Sequence, residues 1–288
     1  MPASSHISIS APNARDLSLS HLRHVALDMD GTIYSGGTLF SFTIPFLDGL
    51  TKLGIGYTFL TNNSSKSSKD YLLHLRRIGI VASEDQLYTS TQATIEHLRT
   101  ELPTIKRLYV LGTKSMRQEI AEAGFTVTED SAQDEPEAVV VGFDTALDYA
   151  RLCRAAYWVK QEKFYIATHP DRICPTDQPT VLVDCGAICA AIKEAVGRVP
   201  DIVLGKPDPC MIRGILHRHS LQPENLAMVG DRLYTDIAMA RRAGAFGVLV
   251  LTGETTAEQA AKYSPAPDLV VSSLEEFGAL LRLARQRP

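Results

Sequence analysis

Short apolar runs alternate with stretches of helical period along most of this chain. That alternation restricts it to a mainly parallel sheet covered on its faces by helices. HVALDM at 24–29 opens the pattern, followed by a predicted helix over 43–53. IGYTFL at 55–60 is the next strand, and Tyr71, Leu72, Leu75 and Ile78 then give the i, i+1, i+4, i+7 stripe of a core-facing helix. A middle set follows: RLYVL with a helix over 114–123, AVVVGF with a helix over 146–160, and FYIAT with a helix over 185–196. The last stretch returns to buried strands at LAMVG and FGVLVL, separated by a helix over 234–243, and ends with DLVV and a helix over 273–284. The middle set can close an α/β layer by itself, so it is expected to be an inserted second domain over 100–202. Residues 21–99 and 203–288 then form one α/β core, and 1–20, rich in Ser and Ala, a loose arm.

Composition narrows the function classes. A chain of 288 residues with 45% hydrophobic and 22% charged residues can bury a sizeable core. A formal net charge of −4 provides no broad basic face, so nucleic acid is not an expected partner. No apolar run reaches transmembrane length, since even LFSFTIPFLDGL is cut by Pro45 and Asp48. The first twenty residues lack the basic start and apolar stretch of a signal peptide. The five cysteines form no CxxC pair, and Cys185 with Cys189 reads as two small apolar residues at helical spacing. A reducing cytoplasmic setting suits them.

Four segments carry groups capable of chemistry, each just after a predicted strand or at a helix start, where an open α/β sheet gathers ligands. They are DMDGT at 28–32, TNNS at 61–64, GKPDP at 205–209 and GDRLYTD at 230–236. In DMDGT the period of two puts Asp28 and Asp30 on one side of a strand end before Gly31 turns the chain; an ordinary acidic turn reads the same way. TNNS offers a hydroxyl, amides and free N–H groups before a helix, an anion site or simply a cap on Asn63 or Ser64. Lys206 sits in extended backbone before Pro207, with a helix able to start around Asp208, and could neutralise phosphate or merely be solvated. Asp231 ends a buried strand and Asp236 lies one turn on, positions suited to a hard cation or to a bare acidic loop.

Taken in order, DMDGT, TNNS, GKP and GDRLYTD resemble the four signature motifs of the haloacid dehalogenase-like (HAD) superfamily. The α/β insertion between TNNS and GKP resembles the NagD-like, p-nitrophenylphosphatase subfamily with its large cap. FYIATHPD and LTGETT extend the similarity, which runs from about residue 22 to the C-terminus.

The resemblance implies a Rossmann-like core with an inserted cap, and a Mg²⁺-dependent phosphatase acting on small phosphorylated metabolites. Asp28 would be the nucleophile that forms an aspartyl-phosphate, and Asp30 the general acid and base. Asp28, the Asp30 carbonyl and Asp231 would hold Mg²⁺, with Asp236 orienting a metal-bound water or Lys206. Thr61, Asn62, Asn63 and Lys206 would bind the phosphoryl oxygens. The cap loop THPDRICPTD at 168–177 would meet the organic part of the substrate through His169, Asp171, Arg172 and Cys174, although relatives often carry Asn where His169 stands and a structural histidine is the simpler reading. Pairing of two copies through the cap is the implied assembly. A dehalogenase has no alkoxide to protonate and no use for Asp30. A phosphomutase, or a phosphate-binding module without turnover, keeps the same core and stays as the alternative. No GxGxxG follows the first strand, and GKP lacks the glycine loop of a P-loop.

Overall fold

A computed structural model describes residues 14–176 and 178–286. In chain order its strands are β1 His24–Asp28, β2 Tyr34–Ser35, β3 Thr38–Leu39, β4 Gly56–Thr61, β5 Leu87–Thr89, β6 Arg107–Leu111, β7 Thr126–Val127 and β8 Ala138–Val141. They continue with β9 Phe164–Ala167, β10 Ile173–Cys174, β11 Leu182–Val183, β12 Ile202–Val203, β13 Leu226–Gly230, β14 Phe246–Val250 and β15 Leu269–Val271.

Two parallel sheets result. The first has the order β15-β14-β13-β1-β4-β5, and every pairing in it is parallel. Period-two alternation lets one strand serve two cores: Val25 and Leu27 pack with Phe59 and Val229, while Ala26 between them packs with Leu60 and Met228 on the opposite face. The chain runs outward from β1 through β4 to β5, and later resumes on the other side of β1 with β13. The carboxyl end of β1 is therefore a topological switch point, where neighbouring loops diverge and leave a crevice.

The second sheet has the order β12-β9-β8-β6-β7 and is also parallel. Val139 and Val141 of β8 face Trp158 and Ile188, and Ala138 and Val140 face Leu108 and Ile120. Helix Ser90–Thr100 joins the two layers, with Ala93 in a cluster of the first sheet and Ile95 and Leu98 in a cluster of the second. Two small antiparallel hairpins, β2–β3 and β10–β11, complete the strand set. Among the described residues no helix is long and apolar enough to cross a membrane.

Several expectations need correction. The loose arm expected over 1–20 does not extend that far: residues 14–21 form a helix, Leu19 is buried beside Leu22, and residues 1–13 lie outside the described residues. The helix expected over 234–243 begins with a wide π turn at Leu233–Ile237 before the α-helix Ala238–Ala243. Helix Ser68–Arg77 is capped neither by Asn63 nor by Ser64 but by Ser67, in a reciprocal capping box with Asp70. Cys185 and Cys189 are indeed buried free thiols in the core of the second sheet.

Candidate active site

Asp28 is the last residue of β1, at the switch point, where it is only 8% exposed. Gly31 follows in left-handed backbone (φ +79°), and a Cβ there would come within 2.5 Å of Asp231 Oδ2. The turn after β1 therefore needs glycine both for its conformation and for its approach to the loop after β13. Thr252 clamps this turn by donating its hydroxyl to the Gly31 carbonyl at 2.6 Å.

Lys206 is buried and its ammonium bridges Asp28 and Asp236, with 2.8 Å to Asp236 Oδ1. Its backbone is fixed through Asn62, which accepts the Lys206 N–H on Oδ1 at 2.7 Å and donates from Nδ2 to the Lys206 carbonyl at 3.0 Å. The loop after β4 is thus tied to the loop after β12 by one amide side chain. Thr61 accepts the Asn63 N–H at 3.2 Å, and Asn63 Oδ1 accepts from the Ser65 N–H at 2.9 Å. Asp231 takes the Glu254 N–H on Oδ2 at 2.6 Å, whereas its Oδ1 is buried without a hydrogen-bond partner. Asp236 takes the Arg232 N–H at 3.1 Å on Oδ2 and faces Lys206 with Oδ1.

The electrostatics follow from this crowding. Burial pushes the Asp231 carboxyl up to about 7, helped by repulsion from Asp28 and Asp236. Burial also raises Asp236 to about 6, with Lys206 working in the opposite direction. Asp30, half-buried, is raised chiefly by burial, against a backbone hydrogen bond from Gly36 and with Asp28 adding to the rise. Burial works to lower Lys206, but Asp236 and Asp28 outweigh it and hold the lysine protonated. Carboxylate oxygens of Asp28, Asp231 and Asp236 lie within 4.8 Å of one another. Asp236 already spends both oxygens on Lys206 and Arg232, so Asp231 Oδ1 is the group left open. An oxygen-rich, cation-deficient cluster of this kind fits a hard divalent cation.

Asp28, Asp30, Thr61, Asn62, Asn63, Lys206, Asp171 and Cys174 all line one cavity of ≈ 590 Å³, part of it open to solvent. Asp231 and Asp236 are not among its lining residues, but their carboxylate oxygens lie within 4.8 Å of those of Asp28, which does line the cavity. Two predicted cap residues do not reach it. Arg172 is exposed outside the cavity wall. His169 is fully buried, bonded through Nδ1 to Thr168 Oγ1 at 2.9 Å and through Nε2 to Asp184 Oδ1 at 2.8 Å, which corrects the expectation that it meets substrate. Sequence reasoning missed Asp184, Arg232, Tyr34 and Tyr71, which also line the cavity. Arg232 lay inside a recognised motif. Asp184 resembles an ordinary helix cap, and it does cap helix Cys185–Val196.

Comparison with known proteins agrees with this geometry. A model described as haloacid dehalogenase-like hydrolase matches residues 25–126, and one described as HAD-hydrolase-like matches 203–277. Ribonucleotide monophosphatase NagD of Escherichia coli K12 is 30% identical over 259 residues, covering 90% of this chain and 99% of that protein. The chain belongs to the haloacid dehalogenase-like hydrolases. Within that family it is NagD-like. A 4-nitrophenylphosphatase from Thermotoga maritima superposes on this HAD chain with a TM-score of 0.85 at 38% identity, over 91% of this chain and 98% of the other. A glycerol phosphate phosphatase from Mycobacterium tuberculosis, in complex with magnesium, superposes with a TM-score of 0.84 at 28% identity, over 94% and 81% of the two chains.

Proposed function

We propose that this HAD hydrolase is a phosphatase that cleaves small-molecule phosphate monoesters through an aspartyl-phosphate on Asp28, with Mg²⁺ as its metal. The observation that carries the reading is the pairing of two carboxylates with opposite environments. Asp28 lies beneath the Lys206 ammonium, while Asp30, two residues on, is pushed towards its protonated form by burial. One can act as nucleophile and the other as acid.

An Asp28 oxygen attacks phosphorus in line as the ester P–O bond breaks, and Asp30 gives its proton to the departing alkoxide. Asp30, now a carboxylate, takes a proton from water, whose oxygen attacks the phosphoryl group and releases phosphate and free Asp28. Thr61, the Asn62 N–H and Lys206 hold the phosphoryl oxygens through both steps, with Asn63 supporting the loop. Asp236 keeps the Lys206 ammonium aimed at Asp28. Asp28, the main-chain carbonyl of Asp30 and Asp231 would hold the cation, whose charge lets two anions approach each other.

The five-stranded sheet is read as the cap, inserted into a core of residues 21–99 and 203–288, with the cap–core crossing near β12. Pairing of two copies through this cap, and residence in a reducing cytoplasm suited to five free cysteines, belong to the same reading.

The test is phosphate release from p-nitrophenyl phosphate with and without Mg²⁺, for wild type and Asp28→Asn. We expect metal-dependent release that falls on the order of 10⁴-fold or more in the variant. Equal turnover by folded Asp28→Asn would refute the covalent route.

A further inference from the structure

The cap wall of the cavity has a charge pattern that bears on the leaving group. Resting on the phosphatase reading above, we propose that this enzyme selects phosphate esters whose alcohol portion is neutral or cationic, a polyol or amino alcohol, and discriminates against esters carrying a second anionic group.

The two cations lining the cavity both come from the core and not from the cap. Lys206 is shared between Asp28 and Asp236. The Arg232 guanidinium is 2.9 Å from Glu254 Oε2 through Nε. From the cap, the lining consists of Asp171, Ile173, Cys174, Pro175 and Asp184. That wall brings two carboxylates and no lysine or arginine. Arg172, the cation nearest in sequence, faces outward. Asp184 is offset by His169, whose Nε2 lies 2.8 Å from its Oδ1. Asp171 shares that histidine only at longer range, within 4.8 Å and outside ion-pair contact, and it accepts from the Asn62 amide at 3.1 Å. One bond from Asn62 leaves most of the acceptor sites of this carboxylate for whatever occupies the cavity, so donors such as hydroxyl or ammonium groups are favoured there.

A carboxylate or second phosphate brought to this wall meets Asp171 inside a partly enclosed site. Like-charge repulsion there is poorly screened, and the cap contributes no lysine or arginine to the cavity wall to relieve it. The same Asn62 that Asp171 contacts also holds Lys206. The discriminating carboxylate is therefore fixed relative to the phosphoryl site.

The experiment compares kcat/KM for three esters of similar length: O-phosphoethanolamine, 2-hydroxyethyl phosphate and 2-phosphoglycolate. p-Nitrophenyl phosphate serves as the control for phosphatase activity itself. Wild type is expected to use the amine and hydroxyl esters at least about tenfold better than the carboxylate ester. In Asp171→Asn that ratio should shrink severalfold, chiefly through a gain on 2-phosphoglycolate. Release from p-nitrophenyl phosphate with equal or better use of 2-phosphoglycolate by wild type overturns the inference and leaves the phosphatase reading intact. A wild-type preference that persists unchanged in Asp171→Asn overturns the assignment to Asp171. No release from any of the four esters overturns both readings together.

Discussion

At the scale of single residues, the buried polar groups away from the cavity also set how the protein responds to its surroundings. His24 opens β1, is 4% exposed, and is bonded through Nε2 to Thr58 Oγ1 at 2.8 Å, with its ring 4.4 Å from that of His219. A Cβ on Gly56 would lie 2.6 Å from its Nδ1, so the imidazole fills space that only glycine on β4 leaves open. Burial pushes its pKa down to about 3, with His219 adding to the fall and Asp85 opposing it. The folded state thus excludes a proton that the unfolded chain binds below its ordinary value near 6.5. Stability from this residue is complete above about pH 6.5 and is lost as the pH falls towards 3, at roughly 1.4 kcal/mol per pH unit. Between pH 7 and 4.5, His24→Gln should therefore lose about 2–3 kcal/mol less stability than wild type. Urea denaturation at the two pH values measures this, and identical pH dependence in both proteins would exclude His24 as the titrating group. Nothing in the sequence marked His24 as more than the first letter of a strand, because its burial depends on β4 and on a histidine almost two hundred residues away.

At the scale of elements, legibility followed apolar periodicity. Helix Ser68–Arg77 was readable from Tyr71 and Leu75, both buried as the stripe required. Helix Ser90–Thr100 was not, because Ser90, Thr91 and Thr94 share its buried face with Ala93, Ile95 and Leu98, so no clean apolar stripe appears. β5 and β12 are too short, at three and two residues, to show a period at all. In the wide turn at Leu233–Ile237, Asp236 folds back locally onto the Arg232 N–H with one oxygen and meets Lys206 with the other, a tertiary contact that no local pattern announces. Helix ends are another case in which several candidates compete, and the structure selects Ser67. Its hydroxyl accepts the Asp70 N–H at 3.2 Å, and Asp70 Oδ2 accepts the Ser67 N–H at 3.0 Å. Ser67→Ala should cost about 1 kcal/mol by loss of the cap, while Ser67→Asp should retain most of the stability. Thermal or urea unfolding distinguishes them, and equal loss in both variants would show that the serine matters for packing instead.

At the scale of the whole molecule, Asp28, Thr61 and Asp231 were legible because each stands at or just after the end of a buried strand. The polar part of what joins the two layers was not, because it consists of small hydroxyls with no pattern of their own. Ser64, taken from the sequence as a possible cap, is fully buried between the sheets. Its Oγ accepts the Phe143 N–H at 2.8 Å and lies 3.2 Å from Thr168 Oγ1, and the next residue's carbonyl accepts from Thr113 Oγ1 at 2.8 Å. The loop that carries Thr61 and Asn62 is thereby fastened to the loop that carries Asp171. Ser64→Ala strands the buried Phe143 N–H and should destabilise the protein by about 1–3 kcal/mol. Asn62 and Lys206 remain bonded to each other in that variant, so the phosphoryl end of the site keeps its own support. The predicted kinetic consequence is a KM raised severalfold for 2-hydroxyethyl phosphate with kcat changed less than about twofold, since uniform binding is lost rather than transition-state stabilisation. Steady-state kinetics at a temperature where the variant is fully folded provides the measurement. A fall in kcat at constant KM would instead place Ser64 in support of the reacting groups, and would mean that the two layers are coupled through the chemistry as well as through substrate capture.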